Sequence, residues 1–356
     1  MENDPSTAGP WLYLAILKAR EGEYEALATL RPSVRADITT LLVLRGGPKA
    51  KDDAGRLGEA LDRQRTSMGR EGPVILDGEL LDEPTIFADC LAVARAKQWL
   101  AVPSTRLDRP ASYQDVVREA ARDGRGAVLR LGREDLMPGG EPLIDRLHAL
   151  LGRVELAPEN VDLVIDLREI SWMHVGALNV TVRSTIQDLP WVGRWRHLAV
   201  AGSGMPATLR EFPPDQISPV PRPEIALYDA IFARRRALPR LPTYADYGVA
   251  HPEPVDDLAE KSAPNMSASL RYSTEYELLI VKGYLVRSSG YERFPSLLAE
   301  LVEHSDFAGA SFSDGDARIK AAAEGAGPGN STKWRSWATS HHLSLVRQQI
   351  ASLYAP

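Results

Sequence analysis

The sequence predicts an α/β fold, a (β/α)8 TIM-barrel-like domain with a β-hairpin insertion and a C-terminal helical segment. Three observations carry that expectation. Short apolar segments rich in leucine and β-branched residues recur roughly every 25 to 45 residues, the length of a strand plus its crossover. Between them lie segments whose apolar residues repeat at helical spacing. No Gly-rich dinucleotide fingerprint follows the first strand, where Lys18-Ala19-Arg20-Glu21-Gly22-Glu23 stands instead, which favours a closed barrel over a doubly wound open sheet.

Seven strands are expected in order: Leu12–Lys18, Thr39–Arg45, Val74–Glu79, Leu100–Ser104, Ala127–Arg133, Leu163–Arg168 and His197–Gly202. Tyr24, Leu27 and Leu30, then Leu57 and Leu61, then Leu143, Leu147 and Leu150 give intervening helices one apolar stripe each. Ser112 is the expected N-cap of a helix that Gly124 ends. The eighth strand has two candidates, Pro242–Val249 and Ala310–Asp314. A connection over 251–265 leads to an antiparallel hairpin, Ala268–Tyr272 with Tyr276–Leu285. A helix over Tyr291–His304, a glycine-containing loop over Asp314–Thr332 and a closing helix over Thr339–Tyr354 follow, the last with Leu343, Val346, Ile350 and Leu353 on one face. The expected organisation is one barrel-like domain over 1–356, with strand-helix repeats in 1–250 and the hairpin insertion and closing segment in 251–356.

With 44% hydrophobic and 25% charged residues, the chain can enclose an ordinary globular core. Its 42 Lys plus Arg against 48 Asp plus Glu leave a net charge of -6, which argues against nucleic acid as a partner. Cys90 is the single cysteine, which excludes an internal disulfide and paired-cysteine zinc motifs and fits a reducing cytoplasm. The acidic start Met1–Pro5 and the short apolar run Trp11–Leu17 predict neither secretion nor membrane insertion.

In parallel barrels the chemistry sits where strands end, so Lys18, Asp77, Arg130, Asp166 and Asp246 form the first candidate set. Three carboxylates, one lysine and one arginine could hold a metal and a phosphate, share protons, or form a salt-bridge plug. Lys18 is also a chemically possible Schiff-base nucleophile. A second set, Asp314, Asp316, His341 and His342, invites a metal or general-base reading, although adjacent histidines point about 100° apart on a helix and seldom share an ion, and a helix N-terminus at which Asp316 satisfies backbone or imidazole N–H groups is the favoured alternative. His342 aligns with Val346 and is expected to turn inward. The expectation is that the closing helix fills the last position around the barrel and brings Asp316 and a histidine towards Lys18. Gly325, Gly327 and Gly329 lack the Walker order and read as a lid. Arg234-Arg235-Arg236 with Arg240 marks a helix end, and Trp334 with Trp337 could stack on a base or pack. HExxH, GxSxG, CxxC and the kinase set are missing, so no common reaction is signed by motif and no cofactor is named.

Several strings taken together resemble the beta family, named for a satellite-phage protein and found on phages and bacterial mobile elements. They are Leu17-Lys18 through Glu23, Ala26-Leu27, Asp246-Tyr247, Leu270-Arg271-Tyr272 with Lys282-Gly283, Ser313-Asp314-Gly315-Asp316, Trp334, and His341-His342. Ser340 and Ala245 stand where asparagine and glycine are the expected neighbours. The resemblance implies a role in phage defence or at toxin-antidote loci and supplies no catalytic residues. Two functions are therefore carried forward. One is an accessory protein that binds a partner protein encoded nearby. The other is an enzyme acting on a phosphorylated or nucleotide substrate at the C-terminal mouth. Lys18, Asp77, Asp166, Asp246 and His341 are its candidate catalytic residues, and Arg130, Arg271, Asp316, Trp334 and His342 its candidate ligand contacts.

Overall fold

A computed structural model describes residues 11–46, 52–68, 73–136, 142–254, 267–287 and 291–354. The N-terminal Met1–Pro5 and most of the 251–265 connection lie outside the described residues.

The strands in chain order are β1 (Tyr13–Lys18), β2 (Ile38–Val43), β3 (Pro73–Asp77), β4 (Leu100–Thr105), β5 (Ala127–Leu131), β6 (Val161–Glu169), β7 (Leu198–Ser203), β8 (Gln216–Pro221), β9 (Thr243–Asp246), β10 (Ser267–Ser273) and β11 (Glu277–Leu285). The first seven and β9 close into a parallel TIM-type barrel. Tyr244 of β9 is in register with both Val200 of β7 and Tyr13 of β1, which settles the eighth slot in favour of the earlier candidate. The later candidate, Ala310–Asp314, is a turn leading into a helix. The hairpin forms as expected, but β8, not anticipated from sequence, pairs with it to give a separate sheet in the order β10-β11-β8. Prolines at Pro219 and Pro221 disguise β8, and they are tolerated there because the strand lies on an edge.

The helices are α1 (Glu21–Thr29), α2 (Pro32–Arg35), α3 (Asp53–Met68), α4 (Pro84–Ala96), α5 (Ala111–Ala121), α6 (Leu143–Val154), α7 (Val175–Asp188), α8 (Pro223–Ala233), α9 (Tyr291–Glu303), α10 (Asp314–Ala323) and α11 (Ser331–Leu353). Ser112 falls inside the first turn of α5, whose N-cap is Pro110, and Gly124 takes a left-handed φ of 81° just beyond its end. The loop expected over Asp314–Thr332 is largely helix α10. Its N-cap Ser313 accepts from the Asp316 N–H at 3.2 Å and donates its hydroxyl to Asp316 Oδ2 at 2.5 Å. The closing helix starts eight residues earlier than expected, at Ser331. Asn330 caps it, and its turns at Trp334, Trp337, Ala338, His341 and His342 are buried, so no single apolar stripe advertises it.

Strand alternation sorts the core into layers. Leu14, Ile16, Leu41, Val43, Ile75, Val102, Val128, Val164, Ala199, Ala201, Ala245 and Tyr247 fill the lumen. Tyr13, Ala15, Leu17 and their counterparts face the helices, where Leu343, Val346 and Ile350 of α11 join them. A third cluster lies under the small sheet, from Leu270 and Tyr272 to Phe294, Ile319, Trp334 and Trp337. Helix α11 packs against α1, and a Cβ on Gly22 would lie 2.9 Å from the Thr332 carbonyl, so glycine permits this approach. Near the far end of α11, Tyr354 and Tyr228 hydroxyls lie 3.0 Å apart, linking it to α8. The last helix thus occupies the eighth crossover position.

Candidate functional site

The uppermost lumen-facing residues are Lys18, Asp77, Ser104, Arg130, Asp166 and Tyr247, two positions beyond the apolar lumen residues of their strands. Arg130 is fully buried, with both terminal nitrogens engaged by neighbours and Nε without a hydrogen-bond partner. Nη1 donates to Asp77 Oδ2 at 2.7 Å, and Nη2 donates to Asp166 Oδ2 at 2.6 Å and to the Tyr247 hydroxyl at 2.7 Å. Tyr247 donates in turn to Asp166 Oδ1 at 2.7 Å, and Ser104 to Asp77 Oδ2 at 2.8 Å. Beyond them Arg168, held at a left-handed φ of 56°, donates its backbone N–H to Asp166 Oδ1 and its guanidinium to Glu79. Lys18 is buried and donates to the Glu253 carbonyl at 2.7 Å, so the chain after β9 crosses its ammonium.

The electrostatics follow from this arrangement. Burial pushes the Glu79 carboxyl up, but Arg130, Arg168 and Arg106 together outweigh it and hold it at about 2. Burial likewise opposes ionisation of Asp166, and Arg130, Arg168 and the Tyr247 hydrogen bond overcome it and keep it below the usual range. Burial would weaken the Arg130 cation, and the surrounding acids hold its proton all the more firmly. Glu79 and Tyr247, absent from the sequence-derived set, were findable: Tyr247 has the strand parity of Ala245, and Glu79 lies just past β3.

Asp246 belongs elsewhere. It alternates with the lumen residues Ala245 and Tyr247 and points outward, correcting its place in the mouth set. Its Oδ1 accepts from Tyr13 at 2.6 Å and from the Gly248 N–H at 2.9 Å, and its Oδ2 accepts from Tyr244 and from His342 Nε2, each at 2.9 Å. His342 Nδ1 lies 2.7 Å from Ser273 Oγ. Burial opposes the charged form of Asp246, yet His342 and the hydroxyl and amide donors lower its pKa. The neighbouring His341 lies 3.0 Å from Asp316 Oδ2 through Nδ1 and 2.8 Å from the Ser273 carbonyl through Nε2. It stacks on Tyr272 with centroids 3.9 Å apart, and Tyr272 donates to Asp316 Oδ1 at 2.8 Å.

The two histidines therefore serve two carboxylates around one residue, Ser273, which sequence reasoning missed. Ser273, His342 and Asp246 have the order of a nucleophile, base and orienting acid, but each is about 1% exposed, which denies a substrate access. The pair works as a clasp between barrel, small sheet, α10 and α11, and the shared site expected at the mouth resolves into two centres on opposite faces of β9.

The remaining candidates pack. Trp334 is buried against Phe294 and donates Nε1 to the Pro328 carbonyl at 2.7 Å, so it is not open to stack on a ligand. That bond and the contact of Gly329 with Trp334 and Trp337 pin the glycine loop expected as a lid. Arg271 lies half-buried on β10 opposite Ile280, on the face away from Leu270 and Tyr272. Cys90 is core, its thiol pushed by burial up to about 12. Among the described residues no group of three or more His, Cys, Asp or Glu converges as a metal site, and no helix is long and apolar enough to cross a membrane. Two open clefts of about 470 and 450 Å³ lie around His148 and Trp191 and around Glu25 and Lys333, and neither is lined by a mouth residue.

Fold and site define a parallel (β/α)8 barrel whose mouth is closed by its own ion network. A profile of the Beta protein family matches residues 13–348, and the chain belongs to that family. No curated protein matches it. Among solved structures it is similar to a putative dihydrodipicolinate synthase family protein from Coccidioides immitis, at 13% identity and a TM-score of 0.27, over 54% of this chain and 59% of that one. The match thus spans less than two thirds of that protein.

Proposed function

We propose that this protein acts in the cytoplasm as an accessory factor in phage defence or a toxin-antidote pair, by binding a protein partner encoded nearby rather than by catalysis. One observation carries the reading: in the layer where a barrel enzyme would hold its substrate, both terminal nitrogens of the central arginine and the lysine ammonium are engaged by the chain itself. Arg130, the cation a phosphate would need, is engaged by Asp77 and Asp166, and Lys18 by the chain crossing over it. An anionic ligand would have to displace bonds to full carboxylate charges in a buried setting, where such bonds are strong.

The test combines a phage challenge of cells carrying the locus with calorimetry of the purified chain. Lys18→Met and Arg168→Met variants with unchanged thermal unfolding should protect fully, and the product of the adjacent gene should bind the wild-type chain. Loss of protection in a stably folded Lys18→Met protein, or saturable binding of inorganic phosphate or a nucleotide that this substitution abolishes, would establish the enzymatic reading instead.

A further inference from the structure

The cleft of about 450 Å³ around Glu25 and Lys333 lies outside the barrel, where α1, α10 and the start of α11 come together beside Arg63 of α3. Its size is that of a small-molecule site. Three cations line it, Arg63, Arg318 and Lys333, against the two carboxylates of Glu25 and Asp314. Its glycine wall carries donors as well. The N–H groups of Gly325 and Ala326 bond back to α10, and the next to find an acceptor is that of Lys333, capped by Asn330. Among the described residues the N–H groups of Gly327, Gly329, Ser331 and Thr332 thus have no partner in the chain, the last two as first-turn groups of α11. Gly327 takes a left-handed φ of 111°, and a Cβ there would meet nothing within 4 Å, so its backbone is open from outside. The decisive group is Ser336, one turn further along α11. It lines the cleft at 6% exposure, yet among the described residues its hydroxyl has no hydrogen-bond partner. Buried hydroxyls are normally satisfied, so one left unpaired beside a polar cleft points to a ligand.

The charge pattern selects an anion. Lys333 lies 3.0 Å from Glu25, Arg63 2.6 Å from Glu21 and Arg318 3.6 Å from Asp314, but these side chains are 24% to 62% exposed. Exposed pairs of this kind hold weakly and yield to a better partner. The mouth differs in that respect, because the pairs of Arg130 are dry and strong. A phosphate group presents several oxygens that accept in different directions, from guanidinium, ammonium, hydroxyl and backbone N–H together. The wall is set in place beforehand, since Trp334 Nε1 bonds the Pro328 carbonyl and Gly329 packs on Trp337. We propose that this cleft binds a phosphate group, free or carried by a small molecule, through Arg63, Arg318, Lys333, the Ser336 hydroxyl and the Gly327 N–H. The site is separate from the mouth and does not depend on the binding of a protein partner.

Calorimetry of the full chain at low ionic strength, with inorganic phosphate and adenosine monophosphate as probes, tests this. Both should bind saturably. Phosphate at least as tight as the nucleotide identifies the free ion as the occupant and a tighter nucleotide identifies a phosphate monoester, and either result supports the site. Lys333→Met and Arg318→Met, both at exposed positions, should each weaken binding by about tenfold with unchanged thermal unfolding, and Ser336→Ala by about fivefold. Glu25→Gln releases Lys333 and should tighten binding, which the loss of a merely structural pair would not do. Lys18→Met, altered at the mouth, should bind as the wild type does. Absence of saturable binding by either probe, affinity unchanged in both Lys333→Met and Arg318→Met, or binding abolished by Lys18→Met would overturn the proposal.

Discussion

Asp246 and His342 meet at 2.9 Å outside the lumen, joining the last barrel strand to the last helix. Both are buried, so the hydrogen bond to the Asp246 carboxylate is one that water does not screen. Asp246→Asn removes the carboxylate charge while keeping the shape, and should cost about 1.5 to 3 kcal/mol in urea denaturation, the usual worth of a hydrogen bond to a charged group. Ser273→Ala removes only the hydroxyl bonded to His342 and should cost about 1 kcal/mol. Equal effects of the two would show that the charge contributes nothing.

Arg130 presents a second case, a fully buried cation within 4 Å of three acids. Arg130→Met leaves Asp77 without its arginine and Asp166 and Glu79 with Arg168 and Arg106 alone, and should destabilise by about 3 to 5 kcal/mol. Adding Asp77→Asn and Asp166→Asn removes the charges left behind and should restore at least about 1 kcal/mol, a positive coupling readable from a mutant cycle. Strict additivity would mean that the network is not energetically connected.

The acids also set the pH response. Glu79, Asp166 and Asp246 all have lowered pKa values in the fold. Their contribution is therefore fully present above the unfolded carboxylate pKa, near pH 4.5, and is lost as pH falls through the folded values, which for Glu79 is about 2. Stability should drop between pH 4.5 and pH 2 by a few kcal/mol for Glu79 alone. In Glu79→Gln that slope should be visibly shallower in denaturation curves taken at each pH, and an unchanged slope would remove Glu79 from the network.

The barrel was legible because its first seven strands each carry an apolar signature, while β9 was one of two candidates for the eighth slot, four residues long and ending in a charge. Facing was lost where charge alone was read: Asp246 has the chemistry of a mouth residue and the parity of an outer one, and Ala245 and Tyr247 on either side would have shown it. The clasp was half legible. Asp316 and the histidine pair stood out by type, while Ser273 contributes through a carbonyl and a hydroxyl at a strand end, which no spacing announces. Helix α10 hid because the glycines at Gly325, Gly327 and Gly329 made the whole of Asp314–Thr332 read as a loop, and β8 because its prolines imitate one.

The clasp also depends on how closely α10 crosses α11, and Gly315 sets that distance. A Cβ there would lie 2.0 Å from the Trp337 carbonyl and 3.2 Å from the His341 N–H, against backbone that cannot swing away. In an unobstructed helix, exchanging glycine for alanine stabilises by about 0.5 to 1 kcal/mol, because alanine has less backbone entropy to lose. Gly152 of α6 offers that comparison, since nothing lies within 4 Å of its Cβ position. Gly152→Ala should therefore raise stability by that amount. Gly315→Ala should lower it by about 1 to 3 kcal/mol, the usual cost of overpacking, as α10 is pushed off α11 and Asp316 drawn away from His341. Thermal unfolding of the two variants beside wild type reads the opposite signs directly, and a Gly315→Ala protein as stable as Gly152→Ala would show that the crossing tolerates the extra carbon.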